Sequence, residues 1–261
     1  MEVVAEIENL FFRYRGGFTL YIPKLIFREG FTLVSGPNGS GKTTLISLML
    51  GLRRRFKGGI RVLGHDVRRG YGEILRRTSF LFEHIQLPSN ISVEKYISFI
   101  DSEDAWIYAE ELGLTDHLDK HVDRLSSGFR RRLQLLTCIS KKADLYILDE
   151  PLSNLYYPGK IEVSRFINEV GREKNIIVSS HETWSLCPND IIFLVDGRVV
   201  KEVRGFRRRI VFRLERGGEE MAVESIGEVN AALNRGYQLV DVDIEDIDTI
   251  LYGREDVGCG D

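Results

Sequence analysis

The hydrophobic pattern along the chain predicts an α/β fold. Short apolar, β-branched or aromatic runs that end at turn residues predict strands at 3–10, 18–21, 31–35, 59–64, 78–82, 145–149, 175–180 and 190–195. Apolar residues spaced three or four apart predict helices after Lys42 and at 92–100, 103–112, 129–139 and 159–170. Three of the strands, 31–35, 145–149 and 175–180, are nearly continuous apolar runs, which is typical of the interior of a sheet that is covered on both faces.

The pattern changes near residue 205 and predicts a larger α/β unit, 1–205, followed by a smaller α+β unit, 206–261. In the larger unit, residues 84–140 are expected to form an all-helical insertion. Near its end, Asp196 and Gly197 predict a hairpin turn of type I′. The smaller unit is predicted to have strands at 209–215, 221–224 and 237–244 and helices at 225–234 and 245–252.

The charge balance changes at the same point and argues against several classes of function. The chain has 36 Lys and Arg and 39 Asp and Glu, for a net charge of -3. Residues 206–261 hold 7 basic and 13 acidic residues, so residues 1–205 keep 29 and 26, a net charge of +3. Neither value predicts a nucleic-acid partner, and no apolar run approaches the roughly 20 residues that cross a membrane. The acidic N-terminus argues against a secretory signal, and the three cysteines are expected to be free thiols in a reducing compartment.

Residues 36–44 predict a phosphate-binding loop, because four of them match the pattern G-x-x-x-x-G-K-[ST] between an apolar strand and a helix. Glycines let backbone N–H groups surround phosphate oxygens, and the helix N-terminus attracts an anion. Lys42 is expected to reach the β- and γ-phosphates, and the Thr43 hydroxyl to ligate Mg²⁺. The chain is therefore predicted to bind a nucleoside triphosphate through Gly36, Pro37, Asn38, Gly39, Ser40, Gly41, Lys42, Thr43 and Thr44.

Two later strands also end in polar residues that are candidates for the same site. Asp149 and Glu150 follow an apolar run, at the carboxyl end of a strand where α/β sheets bind ligands. Asp149 is expected to hold Mg²⁺, and Glu150 to orient and deprotonate the attacking water. His181 follows strand 175–180, and it is either a contact to the γ-phosphate and the water or a capping histidine.

These motifs, in this order, resemble the nucleotide-binding subunit of an ATP-binding cassette (ABC) transporter. The resemblance covers about residues 3–205, and Leu-Ser-Ser-Gly-Phe at 125–129 stands in the place of the family's Leu-Ser-Gly-Gly-Gln signature. It implies an ABC-type P-loop ATPase with a mixed or antiparallel β subdomain, a parallel-sheet core and a helical subdomain. By the same resemblance, Ser126 and the backbone of Gly128 bind the γ-phosphate of an ATP that is held by a second subunit.

The resemblance assigns three more positions. Tyr14 is placed where the family stacks an aromatic ring on adenine, with Phe12 as the alternative. Glu83 takes the place of a glutamine that contacts Mg²⁺ in the family, and a carboxylate is also able to ligate that ion. Tyr156 replaces the aspartate of the family's D-loop, so reduced ATPase activity or a pairing with unequal sites is predicted.

The resemblance also implies partners and a location. Two such subunits, identical or related, close around two ATP–Mg²⁺, and a transmembrane permease subunit receives the motion through the helical subdomain. The chain would then be cytoplasmic, peripheral on the inner face of the membrane through its permease. Ser127 and Phe129 resemble exporter-type signatures, and the segment from Val240 to Asp256 resembles the end of an accessory domain in such exporters.

Basic runs leave other functions open. Arg53–Arg55 are interpreted as cations near a helix C-terminus, and Arg130–Arg132 as the solvated outer face of a helix. The alternatives are an ATPase that acts on nucleic acid or ribosomes and a weakly hydrolysing, ATP-gated module. The lack of heptads between residues 44 and 125 argues against the first, and the presence of Glu150 and His181 argues against the second.

Overall fold

The computed structural model describes residues 2–83, 85–181, 185–206, 209–223 and 232–245. The chain divides into two compact units, Met1–Phe206 and Arg207–Asp261. The described strands of the first unit are β1 (Val3–Arg13), β2 (Thr19–Arg28), β3 (Phe31–Ser35), β4 (Lys57–Val62), β5 (His65–Asp66), β6 (Thr78–Leu81), β7 (Leu145–Asp149), β8 (Ile176–Ser180), β9 (Asp190–Val195) and β10 (Arg198–Val203). Its described helices are α1 (Lys42–Met49), α2 (Tyr71–Arg77), α3 (Val93–Ser98), α4 (Ala105–Glu111), α5 (Ser127–Ser140) and α6 (Tyr157–Glu173), with 3-10 turns at Thr115–His117 and Val122–Arg124.

One layer of this unit is an antiparallel sheet in the order β2-β1-β4-β5. β2 is much longer than the predicted strand 18–21, since it continues to Arg28. Pro23 obscures this in the sequence because proline cannot donate to a strand ladder. β2 lies at the edge of the sheet, so the missing N–H of Pro23 leaves no acceptor on a neighbouring strand without a donor. The pairing of β1 with β2 passes from Leu10–Ile22 to Glu8–Lys24, and Pro23 takes no part in it.

The second sheet has the order β10-β9-β3-β8-β7-β6, and its strands are parallel except for β10. β3, β7 and β8 lie in its interior and are buried along their whole length, which confirms the prediction from their apolar runs. Ser35 is opposite Ser180, and Asp149 is opposite Ser179. This register brings the phosphate loop after β3, the acids at the end of β7 and His181 after β8 to the same edge of the sheet.

Within residues 85–140, the described regular elements are helices and 3-10 turns, and an isolated bridge pairs Ser92, the N-cap of α3, with His121, just before the turn Val122–Arg124. The Ser92 side chain caps α3 by accepting from the Lys95 N–H at 3.2 Å. The insertion therefore begins at a defined helix cap and returns to the core through α5.

Helix α5 begins at Ser126, whose side chain accepts the N–H of Phe129 at 3.3 Å. The side chains that were predicted to pack this helix are buried, namely Leu133, Leu135, Leu136 and Ile139. The prediction for Arg130–Arg132 was wrong, because Arg131 and Arg132 are only 2% and 4% exposed. Successive residues of a helix point about 100° apart, so adjacent arginines on a helix packed on several sides cannot all face water.

A tight turn joins β9 to β10. Asp196 and Gly197 have φ of +47° and +71°, as the predicted type I′ turn requires. The Gly197 N–H donates to the Ser40 carbonyl at 3.0 Å, and the Gly197 carbonyl accepts from Tyr21 N–H at 2.8 Å. A Cβ at position 197 would lie 1.9 Å from the Thr19 carbonyl oxygen, so only glycine fits there. This turn therefore fastens the phosphate loop to β2.

In the second unit, β11 (Arg209–Arg216), β12 (Glu219–Val223) and β13 (Gln238–Glu245) form an antiparallel sheet in the order β12-β11-β13. Leu214, Ala232 and Tyr237 form its buried cluster. The three predicted strands are confirmed. Residues 232–234 are helical, whereas the rest of the predicted helix 225–234, residues 246–252 of the second predicted helix and the end of the segment that resembles exporter tails lie outside the described residues.

Two other expectations concern the whole chain. No helix among the described residues is long and apolar enough to span a membrane. Cys138 is buried and Cys187 is exposed, and both are free thiols, while Cys259 lies outside the described residues.

Candidate functional site

The phosphate loop runs from the end of β3 into α1, and close packing explains two of its glycines. A Cβ on Gly36 would lie 2.0 Å from the Leu194 carbonyl oxygen of β9. Gly41 has a φ of +108°, and its Cβ would lie 2.8 Å from the ring of Phe18. The Ser40 hydroxyl is buried with no hydrogen-bond partner among the described residues. The loop is therefore held against β9 and Phe18, with its backbone exposed toward the cavity described below.

Lys42 lies back over this loop, and its ammonium is 6% exposed. Its Nζ donates to the Gly36 carbonyl at 2.7 Å and to the Pro37 carbonyl at 3.2 Å. The same Nζ lies 3.1 Å from Oε1 of Glu150, so the cation joins the loop after β3 to the acid after β7. A buried ammonium needs such partners, because an unpaired charge in the interior costs several kcal/mol.

Glu150 has a left-handed backbone, with a φ of +47°, at the end of β7. Its N–H donates to the Ser179 carbonyl at 3.0 Å and lies 3.2 Å from the Ser179 hydroxyl, which ties it to β8. Its Oε2 lies 3.0 Å from Nδ1 of His181. The left-handed residue turns the chain so that its carboxylate meets both Lys42 and His181.

Asp149 is fully buried beside this pair. Oδ1 accepts a hydrogen bond from the Ser179 hydroxyl, whereas Oδ2 has no hydrogen-bond partner among the described residues. Burial raises the pKa of Asp149, although Ser179 and Thr43 lower it and the nearby carboxylates of Glu150 and Glu83 raise it further. A buried carboxylate oxygen without a donor, next to a threonine hydroxyl, offers the hard oxygen ligands that Mg²⁺ prefers.

A divalent cation here would need more than protein ligands. Among the described residues, no group of three or more His, Cys, Asp or Glu side chains is close enough to hold a metal ion alone. Mg²⁺ is usually bound by one or two carboxylates together with water and substrate phosphates. The donors Thr43, Asp149 and Glu83 therefore fit Mg²⁺ that arrives with a nucleotide.

Lys42, Thr43, Glu83, Glu150 and His181 line a cavity of about 560 Å³, whereas the fully buried Asp149 is not among its lining residues. Its lining consists of Tyr14, Phe18, Asn38, Gly39, Gly41, Lys42, Thr43, Thr44, Glu83, Glu150, Ser153 and His181. The Tyr14 hydroxyl lies 3.3 Å from the Thr44 hydroxyl, and the Arg53 guanidinium lies 4.8 Å from the centre of the Tyr14 ring. Phe12, the alternative to Tyr14, is buried in the core and packs edge-on against Tyr14 at 4.8 Å. The structure thus brings the loop, both predicted acids of the lining, His181 and Tyr14 to one cavity.

The signature residues lie elsewhere. Ser126 is exposed at the start of α5, and neither it nor Gly128 lines the cavity. A Cβ on Gly128 would lie 3.3 Å from the Leu155 side chain, so the start of α5 packs against the segment that follows Glu150. Phe129, at the position of the family's glutamine, packs at 4.1 Å against His117. The phenylalanine therefore belongs to the helical insertion rather than to the cavity.

Three contributors to the site were missed in the sequence. Phe18 and Ser153 line the cavity, but a strand aromatic and a loop serine are too common to be singled out. Arg131 donates to main-chain carbonyls of both Asp149 and Glu150, at 2.7 and 2.9 Å. A run of three arginines gives no signal of which one contacts the segment that carries the acids.

Comparison with known proteins decides the family. Residues 25–153 match the family model described as ABC transporter. The uncharacterized ABC transporter ATP-binding protein YhcH of Bacillus subtilis (strain 168) is 30% identical over 212 residues, which cover 77% of this chain and 70% of that protein. The chain belongs to the ABC transporter ATP-binding proteins. It is an ATP-binding subunit of an ABC transporter and an ATPase that drives transport.

Other ABC proteins are similar over much of their length. The petrobactin import ATP-binding protein YclP of Bacillus subtilis is 28% identical over 76% of this chain and 86% of that protein. The cytochrome c biogenesis ATP-binding export protein CcmA of Idiomarina loihiensis is 30% identical over 59% of this chain and 73% of that protein. Among solved structures, cbiO1 from Clostridium perfringens, part of the ABC transporter complex cbiONQ, matches with a TM-score of 0.66 at 21% identity, over 78% of this chain and 90% of that one. This structural similarity shows the ABC ATPase fold.

Proposed function

We propose that the cavity of about 560 Å³ binds ATP with Mg²⁺ and hydrolyses it. The observation that supports this most is the convergence of Lys42 and His181 on the two carboxylate oxygens of Glu150, at 3.1 and 3.0 Å. Lys42 and the backbone of residues 36–44 bind the phosphates, and Tyr14 stacks on the base. Glu150 orients the attacking water and accepts its proton, while His181 holds the Glu150 carboxylate and contacts the γ-phosphate.

In this proposal, Thr43 and Asp149 hold Mg²⁺, and Glu83 contributes in place of the family's glutamine. Oδ2 of Asp149, which is buried and has no hydrogen-bond partner among the described residues, supports this choice of ligands. When bound, Mg²⁺ neutralises charge on the phosphates. The chain's own part is to fix the oxygen ligands, and Asp149, at the end of an interior strand, is the buried one of the three, since Thr43 and Glu83 are exposed.

Two ATP-binding subunits, identical or related, are proposed to close around the nucleotides. Ser126 is exposed at the N-terminus of α5 and does not line the cavity of its own chain, which leaves it available to the γ-phosphate on a second subunit. A serine hydroxyl and the N–H groups of a helix start suit an anion. Tyr156, 64% exposed at the D-loop position, would then face the partner and lower turnover relative to an aspartate.

The proposed second partner is a transmembrane permease. A groove of about 900 Å³ in the helical insertion is lined by apolar and basic side chains such as Ile91, Tyr96, Phe99 and Lys141. Phe99 is 69% exposed there, which suits a surface that a partner covers. Attachment of this kind would place the chain on the inner face of the membrane. The cbiONQ complex, of which the similar cbiO1 is part, supports the assignment of further subunits.

Export is the proposed direction. It rests on Ser127 and Phe129, which resemble exporter-type signatures, because the similar proteins include one named for import and one named for export. The unit after Phe206 is proposed to be an accessory domain of this exporter type. Transport into vesicles that contain the permease, with ATP supplied outside, tests the direction: uptake supports export, and efflux of preloaded cargo contradicts it.

Dimerisation is tested with Glu150→Gln, which keeps the size of the side chain but removes the base. With saturating ATP–Mg²⁺, this variant is expected to double its mass in light scattering, and to stay monomeric with ADP. Adding Ser126→Arg to the same variant blocks the exposed helix start and is expected to restore the monomer. A Glu150→Gln variant that stays monomeric with ATP would show that the isolated subunit does not form the sandwich.

A further inference from the structure

Arg131 is a buried cation that the proposed mechanism does not use. It lies on α5, on the same helix whose start carries Ser126, and it is 2% exposed. Burial lowers the pKa of Arg131 to about 10, which leaves the guanidinium charged at neutral pH. A buried charge of this kind is strongly destabilising unless it is hydrogen-bonded. Nη1 and Nη2 of Arg131 both have partners, whereas Nε has none among the described residues, so the two Nη atoms show what the side chain holds.

The partners are main-chain carbonyls of the two segments that bring acids to the cavity. Nη2 donates to the carbonyls of Asp149 and Glu150 at 2.7 and 2.9 Å. Nη1 donates to the carbonyl of Phe82 at 2.8 Å and lies 3.4 Å from the carbonyl of Glu83. Glu150 and Glu83 are the two acids of the cavity lining. The guanidinium of Arg131 contacts the main-chain carbonyl of each of these acids and the carbonyl of the residue that precedes it.

These hydrogen bonds hold a strained part of the backbone. Glu150 has a φ of +47°, a conformation that costs an L-residue about 1–2 kcal/mol. Its N–H is fixed by Ser179, and Arg131 fixes the peptide planes on both sides of it. A planar guanidinium can hold several acceptors at fixed angles, which a lysine ammonium cannot reproduce.

Gln134 extends the contact by one helical turn. Its Oε1 accepts from Nη1 of Arg131 at 3.1 Å, and its Nε2 donates to the Ile85 carbonyl at 2.7 Å. Arg131 and Gln134 together thus hold the segment that carries Glu83 from the α5 side. The neighbouring Arg132 differs, since it donates to Leu112 and Glu162 and lies 5.1 Å from the centre of the Phe129 ring, and none of these three residues lines the cavity.

We propose that Arg131 is a positioning residue for ATP hydrolysis, which sets the carboxylates of Glu150 and Glu83 relative to each other through their backbones. The proposal rests on the proposed function for the roles of these two acids. Arg132 provides a matched control, because it is an equally buried arginine on the same helix with partners away from the site. A purely structural role would make the two arginines equivalent.

The test compares Arg131→Met and Arg132→Met, with Arg131→Lys as the conservative variant. Mn²⁺ binding in the presence of ADP is followed by electron paramagnetic resonance, together with kcat, KM, nucleotide binding in EDTA and the unfolding temperature. Arg131→Met is expected to weaken Mn²⁺ binding and to lower kcat by about 10-fold or more, as loss of groups that orient metal ligands does. Nucleotide binding in EDTA should change less than about 2-fold, because the phosphate loop makes no contact with Arg131.

Arg132→Met is expected to lose a similar amount of thermal stability while Mn²⁺ binding and kcat stay within about 2-fold of wild type. Arg131→Lys is expected to recover part of kcat. The proposal is overturned if Arg131→Met retains Mn²⁺ binding and kcat, or if both methionine variants lose them equally. If Arg131→Met does not fold, Arg131→Lys and Gln134→Leu replace it, and wild-type values in both overturn the proposal.

The outcome is separable from that of the proposed function. Binding of Mn²⁺ with ADP needs only one subunit. A Glu150→Gln variant that fails to dimerise would therefore refute the proposed dimer and would not affect the conclusion on Arg131. If the wild type binds no Mn²⁺ with ADP, the proposed metal site is refuted. The difference in kcat between Arg131→Met and Arg132→Met then decides the role of Arg131 by itself.

Discussion

The contact between Lys42 and Glu150 predicts that Glu150, the proposed catalytic base, competes with ATP for Lys42. Nζ of Lys42 lies 3.1 Å from Oε1 of Glu150, and the two side chains are 6% and 10% exposed. A γ-phosphate that takes Lys42 as its partner must weaken this contact. Replacing Glu150 with Gln is therefore expected to strengthen ATP binding while it abolishes turnover.

The magnitude follows from the kind of bond that is lost. A hydrogen bond to a charged partner contributes about 1.5–3 kcal/mol, and a neutral one contributes about 0.5–1.5 kcal/mol. Glutamine can still accept from Lys42 through its amide oxygen, so the difference is about 1–2 kcal/mol. That corresponds to a Kd for ATP that is about 5- to 30-fold lower in Glu150→Gln than in wild type.

Calorimetric titration with ATP in EDTA, where metal binding and turnover do not contribute, measures this difference. Glu83→Gln is the matched control, because it removes one negative charge from the same cavity lining at a residue that makes no ion pair with Lys42 among the described residues. Raising NaCl to about 0.5 M should shrink the effect of Glu83→Gln more than that of Glu150→Gln, since a buried pair is poorly screened. Equal gains in affinity for the two variants would refute the competition for Lys42.

Three more predictions follow from the site. Asp149→Asn is expected to raise the unfolding temperature at pH 7, by about 2–4 °C per kcal/mol. Burial holds the pKa of Asp149 above its ordinary 3.8. The stabilisation by the neutral carboxyl is therefore complete below pH 3.8 and is lost as pH rises through the raised pKa. The difference in unfolding temperature between Asp149→Asn and wild type should close towards pH 4 in thermal scans, and a difference that persists there contradicts this. Gly36→Ala should lower the unfolding free energy by about 1–3 kcal/mol in urea titrations, because its Cβ meets the Leu194 carbonyl oxygen. It should cost more than Gly39→Ala, which has the strain of a φ of +81° but no atom within 4 Å of its Cβ. Tyr156→Asp is expected to raise ATP turnover without loss of stability, since Tyr156 is exposed at the N-cap of α6; unchanged turnover in a phosphate-release assay would remove the D-loop explanation.

The parts of the fold that sequence predicts are those where one physical factor dominates. β3, β7 and β8 are buried on both faces, so their apolar runs identify them and place Asp149 at a strand end. Helix α2 was not predicted, because its seven residues make only about two turns, which is too short for an apolar period to be recognised.

The site was predictable as a set of residues and not as a network of contacts. The spacing of residues 36–43 fixes a phosphate loop by itself, since the glycines and Lys42 act locally. By contrast, the role of Arg131 depends on which side of α5 faces β7, and the run of identical residues Arg130–Arg132 does not indicate which of them lies on that side. The bond from the Glu150 N–H to Ser179 depends on the order of strands, which the sequence does not state.

The turn at Asp196 and Gly197 has a consequence for protein engineering. Surface hairpin turns are ordinarily the places where tags, inserted domains or new chain ends are tolerated. Here both backbone groups of Gly197 are in use, one by Ser40 and one by Tyr21. A fusion placed at this turn is expected to disturb the loop of residues 36–44 from a distant point of the sequence, so this hairpin is a position to avoid for insertions.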